Sequence, residues 1–248
     1  MRSLIISTYV IYLAYYYSKI QFGKPKLSKF VSLKEISSRF KYIILMETKT
    51  TAPIMLYTEQ TPNPDSLKFV TNRMLYKGTA DFRTEELAKE CSPLTAELFK
   101  FHFVNGVYIC NNYVTISKEM NYLWEDITMK TKEFIKGYVA EDRPILNNGF
   151  EEAMAKIEEE RGVAYHYEGD EAKLVQKIKA LLDKYVKPAV EMDGGNIEFK
   201  AYDKGKVIVV MQGSCSGCPS STVTLKSGIE GMLKRMVPEV TEVVAEMG

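Results

Sequence analysis

Four cysteines are present in the chain, Cys91, Cys110, Cys215 and Cys218, and the last two stand three positions apart. Cys215-Ser216-Gly217-Cys218 can aim both sulfurs at one point. Gly213 and Gly217 remove side-chain bulk and permit positive φ, so the backbone can fold around a bound species. Pro219 suits the first position of a helix, which sets the Cys218 sulfur at a helix N-terminus. There the dipole and unpaired N–H groups favour the thiolate, the form that ligates metal. Three chemistries share such a loop. Dithiol–disulfide exchange needs only the pair, whereas a structural zinc or an iron–sulfur cluster needs about four ligands. Cys91 and Cys110 lie in another part of the chain and read as inert packing residues. A zinc or cluster would therefore take two copies of the loop, one from each subunit of a dimer, at an exposed site on the symmetry axis. His102 and His166 have no ligand-type neighbours in sequence and read as ordinary surface or packed residues. No P-loop, triad or paired-carboxylate pattern stands out, so hydrolase and nucleotide chemistry have no footing.

The elements that must hold this loop are legible around it. Leu174, Val175, Ile178, Leu181, Leu182 and Tyr185 follow helical spacing, and Pro188 is expected to end that helix. Asp193-Gly194-Gly195 is a turn. Ile197, Phe199 and Ala201 alternate with polar residues as a half-buried strand does. Asp203-Lys204-Gly205 closes a hairpin into Val207–Gln212, which is apolar on both faces and so central to its sheet. After the cysteines a helix runs to Met236 with the stripe Leu225, Ile229, Met232, Leu233 and Met236, Pro238 stops it, and Thr241–Glu246 is a last strand. The order is α-β-β-α-β, a short sheet backed by two helices.

Upstream, residues 53–140 read as a second small unit. Ile54–Thr58 and Ser66–Thr71 are strands around the turn Thr61-Pro62-Asn63-Pro64-Asp65, and Asp81–Glu90 reads as a helix. Ser92-Pro93 opens another helix. Val104–Cys110 and Tyr113–Ser117 form a hairpin about Asn111-Asn112. Asn121 can cap a helix in which Leu123, Ile127, Phe134, Ile135 and Tyr138 share a face. The composition shift over 141–170 reads as a linker, with the acidic stretch Glu151–Arg161 expected to be solvated. The fold class is thus α/β in the α+β sense, with domains at 53–140 and 171–248.

Residues 1–45 carry eight Lys/Arg against Glu35, while the remainder of the chain is net acidic. A basic nucleic-acid-binding domain is therefore not expected. The apolar run Leu4–Tyr17 is shorter than the ~20 residues that span a bilayer, so no membrane partner is expected either. The segment reads as a leader or as sequence upstream of a start at Met46. Four unevenly spaced cysteines do not make a secreted disulfide framework and suit a reducing compartment.

Met192-Asp193-Gly194-Gly195-Asn196, Gln212–Ser221, Thr224–Glu230 and Val237-Pro238-Glu239-Val240 together resemble the C-terminal domain of the NifU-like (Nfu) family. Thr61–Phe69, Ser92-Pro93-Leu94 and Tyr113–Ile116 resemble the family's N-terminal domain. The resemblance implies a non-enzymatic iron–sulfur scaffold or carrier that holds a [4Fe–4S] cluster between two subunits and passes it to apo-proteins. Cys215 and Cys218 would be its ligands, and the partners would be apo iron–sulfur clients, the cluster-assembly machinery and a second copy of the chain upon cluster binding. The poor presequence implies a bacterial cytoplasmic setting, or a mitochondrial one if residues 1–45 are a true presequence. A thioredoxin-like dithiol oxidoreductase and a zinc-bridged structural dimer remain the alternatives.

Overall fold

The computed structural model describes residues 52–161, 165–216 and 219–247. The leader 1–45 lies outside the described residues, as do Gly217 and Cys218.

The first half is built on β1 (Leu56–Gln60), β2 (Ser66–Thr71), β3 (Tyr76–Phe82), β4 (Val104–Asn111) and β5 (Tyr113–Lys118), with α1 (Glu85–Cys91), α2 (Pro93–Leu98), α3 (Trp124–Ala140) and α4 (Phe150–Arg161). The strands run antiparallel in the order β1-β2-β5-β4-β3. One sheet face packs Phe69, Phe82, Val107, Ile109 and Ile116 against Leu94, Leu98 and Ile135 of the helices. Ser92 caps α2 as its sequence demands: its hydroxyl accepts from the Thr95 N–H at 3.1 Å, and Pro93 follows. Asn111 turns the β4–β5 hairpin with φ 49°.

Two expectations for this half are corrected. Asp81 does not start a helix but lies in β3, opposite Tyr108, and Ala80 and Phe82 on either side of it reach the core. The helix begins only after Thr84, whose side chain accepts from Leu87 N–H. Asn121 does not cap α3; Leu123 holds the cap position with no side-chain bond. Residues 143–150, within the stretch expected as linker, are tied to the first half. Tyr138 OH donates to the Pro144 carbonyl, Ser92 Oγ to that of Ile145, and Asn147 N–H to that of Cys91. Phe150 is buried in the same core, against Tyr76 and Phe82.

The second half runs α5 (Gly169–Leu181), a π-helical turn (Leu182–Val186), α6 (Lys187–Met192), β6 (Gly195–Asp203), β7 (Lys206–Gly213), α7 (Pro219–Met236) and β8 (Glu242–Met247). β7 is central, antiparallel to β6 and parallel to β8. Pro188 does not end the helical run. It sits at the start of α6, where its missing N–H costs nothing because the wider π turn has reset the hydrogen bonding. The extra residue in that turn also shifts the helical phase. Tyr185, expected in the buried stripe, is half exposed, and Val186 and Val190 take the buried positions. Ile229 and Leu233 of α7 are buried as the stripe predicts, whereas Met236 at its end is exposed.

Every residue of β2 is buried, on both faces of the strand. The second face of the first sheet, which carries Ser66, Lys68, Val70, Tyr108, Cys110, Tyr113 and Thr115, is covered by the second half of the chain.

Candidate functional site

β7 ends at Gly213, whose φ of +64° lets the chain leave the sheet and turn. The Ser216 N–H returns to the Gly213 carbonyl at 3.1 Å, so residues 213–216 form a tight turn carrying Cys215. Beneath it lies the turn Asp193-Gly194-Gly195. Ser214 Oγ donates to the Asp193 carbonyl at 2.6 Å, and the Ser214 N–H reaches the Gly194 carbonyl at 3.2 Å. A Cβ on Gly195 would stand 2.9 Å from the Cys215 sulfur and 2.7 Å from the Gln212 carbonyl oxygen. The paired glycines of that turn are therefore the floor on which the sulfur rests. Asn196 then fixes the start of β6, its amide donating to Glu198 and Gln212 side chains at 3.0 and 2.9 Å.

Cys215 is only 7% exposed and packs with the second half's core. The expected site is exposed, yet the described part of the loop, Ser214, Cys215 and Ser216, is buried. The first half supplies a cover through side chains that donate to main-chain carbonyls. Arg83 Nη2 binds the Gly213 carbonyl at 3.1 Å, Asn63 Nδ2 that of Ser214 at 3.1 Å, and Thr115 Oγ1 that of Gly194 at 2.8 Å. Lys68 Nζ caps the end of α6 at the carbonyls of Met192 (3.1 Å) and Glu191 (3.4 Å), where the helix dipole favours a cation. The Lys68 ammonium also lies over the Tyr113 ring and pairs with Glu59 at 3.0 Å.

Charges inside this seam are taken from water. Burial raises the Asp81 carboxyl above its ordinary range, against the opposing pull of Arg83, 2.9 Å away, and of the Gly213 N–H. Asp193 is likewise raised by burial, with Lys68 opposing. Tyr108 and Tyr113 are pushed well up, chiefly by burial, so both phenols stay protonated.

Of the residues singled out from the sequence, Cys215 is placed on this turn, and α7 starts at Pro219, the residue after Cys218. Cys91 and Cys110 are buried in the first half, Cys91 in its main core and Cys110 beside Tyr108 and Tyr113. Burial, with Glu90 nearby, keeps the Cys91 thiol up and protonated. His102 and His166 are exposed and take no part. Among the described residues no three His, Cys, Asp or Glu side chains gather to hold a metal ion, and no helix is long and apolar enough to cross a membrane. The seam residues Lys68, Arg83 and Thr115 were missed in sequence. The available signal was β4, where Val107 and Ile109 supply one apolar face and Tyr108 and Cys110 another, which an exposed sheet face does not need.

Two family models match the chain: "Scaffold protein Nfu/NifU N terminal" over residues 56–142 and "NifU-like domain" over 178–244. The "NFU1 iron-sulfur cluster scaffold homolog, mitochondrial" of Drosophila grimshawi is 42% identical over 190 residues, 76% of this chain and 60% of its own length. Its namesake in Drosophila willistoni is 41% identical over 192 residues, covering 77% and 63%. The chain thus spans less than two thirds of the length of these curated relatives. A solution NMR structure of a NifU-like protein from Saccharomyces cerevisiae is similar at 21% identity with a TM-score of 0.37, over 41% of this chain and 91% of that one.

Proposed function

The chain belongs to the NifU-like family that joins an Nfu N-terminal domain to a NifU-like domain, and from that premise we propose that it is an iron–sulfur cluster scaffold that carries a [4Fe–4S] cluster between two subunits and hands it to apo-proteins. Cys215 and Cys218 are the ligands in this reading. The observation that carries it is the Cys215 turn itself: a thiol seated on Gly195 at the exit of the central strand, with Cys218 immediately before the first residue of α7. Two thiolates per chain and about four per cluster require two chains. The role is delivery rather than catalysis, with apo iron–sulfur clients and the assembly machinery as partners. The antiparallel β6–β7 hairpin that leads into the motif speaks against a thioredoxin-like arrangement, in which a βαβ beginning is expected.

The relatives' printed names favour a mitochondrial setting over a cytoplasmic one. A direct test is anaerobic reconstitution of Cys215→Ser and Cys218→Ser. Each removes two of four ligands from the shared site, so the sulfur-to-iron visible absorption is lost. A variant at either position that retains full absorption removes the proposal.

A further inference from the structure

We propose that the outer face of the first sheet is a seat that holds the Cys215 turn closed in the unloaded chain, and that a two-chain cluster forms only after the turn leaves this seat. The inference rests on the reading of Cys215 as a cluster ligand. In the closed arrangement the sulfur is turned onto Gly195 and Cys215 is 7% exposed, while the first half's side chains occupy the two carbonyls that precede it, those of Gly213 and Ser214. A second chain cannot bring its own turn to this sulfur without displacing that cover.

The seat is built to recognise shape and to let go. Arg83, Asn63, Thr115 and Lys68 all donate to backbone carbonyls of the turns at 191–194 and 213–214, so they read the fold of the two glycine turns. The fit is close. A Cβ at Gly213 would meet the Tyr108 ring at 2.9 Å, and one at Gly194 would meet Thr115 Oγ1 at 2.9 Å. At the same time the seam buries charge, with Lys68 8% exposed and the Asp81 side chain 6% exposed. Opening returns these groups to water and lets water replace each bond to a carbonyl, so closure is favoured by geometry and opposed by desolvation. Polar contacts between domains of one chain are the kind that part most readily.

The test uses metal-free full-length protein, alkylated with N-ethylmaleimide and read peptide by peptide. Cys215 in the native chain should react at least about 100-fold more slowly than in urea. Thr115→Val and Arg83→Met, made separately, should each speed Cys215 alkylation by about 10-fold or more. Cys91, buried in the first core, should stay protected in both and so excludes general unfolding. The two variants should also take up cluster faster than the parent. If native Cys215 reacts as it does in urea, or if both variants leave its slow rate unchanged with Cys91 protected, the seat is overturned. Faster alkylation with no cluster in any form would keep the seat and remove the scaffold reading instead.

Discussion

Gly213→Ala is the perturbation whose cost follows most directly from the geometry. At φ +64° an alanine is held in the left-handed region, at about 1–2 kcal/mol. Its Cβ would also stand 2.7 Å from the Gly194 carbonyl oxygen, 2.8 Å from Gly195 Cα and 2.9 Å from the Tyr108 ring. Two of these three atoms are backbone and cannot swing aside, so relief requires the 194–195 turn to shift, an overpacking cost of about 1–3 kcal/mol. The sum, roughly 2–5 kcal/mol, is a large part of a domain's usual margin. Trp124 is the chain's one tryptophan and lies in the first half, so its fluorescence follows the wrong domain. Hydrogen exchange of the β6 and β7 amides reads the right one, and should quicken by about 30-fold to a few thousand-fold where exchange requires the domain to unfold. Gly231→Ala is the internal control. It sits in α7 with nothing within 4 Å of the added methyl and should gain about 0.5–1 kcal/mol. A Gly213→Ala loss below about 1 kcal/mol would refute the reasoning, because neither the strain nor the clash could then be present.

Gly195→Ala should disturb the thiol as well as the fold: its methyl meets the Cys215 sulfur at 2.9 Å and the Gln212 carbonyl oxygen at 2.7 Å, so cluster uptake measured by visible absorption should fall sharply, and uptake equal to the parent's contradicts the role of this glycine. Cys91→Ser and Cys110→Ser should each leave that absorption unchanged while lowering the unfolding free energy from urea titration by about 1–3 kcal/mol, for a hydroxyl without a partner in a core. Glu230 ties α7 to β8 by accepting from Lys234 and from the Val243 N–H, which lower its carboxyl below the ordinary 4.5. Because the folded carboxyl titrates below 4.5, its contribution is full above 4.5 and is lost as the pH falls from there through the lower folded value. Urea midpoints between about pH 6 and pH 3 should therefore fall more steeply for the parent than for Glu230→Gln, and parallel slopes would exclude the linkage.

The second half was legible because each signal was local. Two-faced apolarity marked β7 as central, Asp203-Lys204-Gly205 marked its hairpin, and Ile229 and Leu233 marked the buried face of α7. What was missed depended on partners distant in sequence. β3, with Gly78 and an irregular register between Tyr76 and Thr79, has too little apolar alternation to announce an edge strand, and only pairing with β4 establishes it. Pro188 reads as a stop unless the π turn before it is known, and that turn leaves no composition mark. The candidate site was legible as chemistry but not as a state. Cys215-Ser216-Gly217-Cys218 points to metal ligation or dithiol exchange from residue types alone, whereas the closure over its first thiol comes from Arg83, Asn63 and Thr115, through bonds that span up to 151 residues. Lys68 and Thr115 read only as members of strands, and nothing local to them marks them as donors of the seam.

The central claim is a cluster shared by two chains, and counting iron, acid-labile sulfide and chain mass on one anaerobically reconstituted sample tests it most directly. The account predicts about four irons and four sulfides per two chains, eluting as a dimer that returns to monomer when the cluster is removed. A loaded monomer, or a dimer that holds zinc and no sulfide, would contradict it.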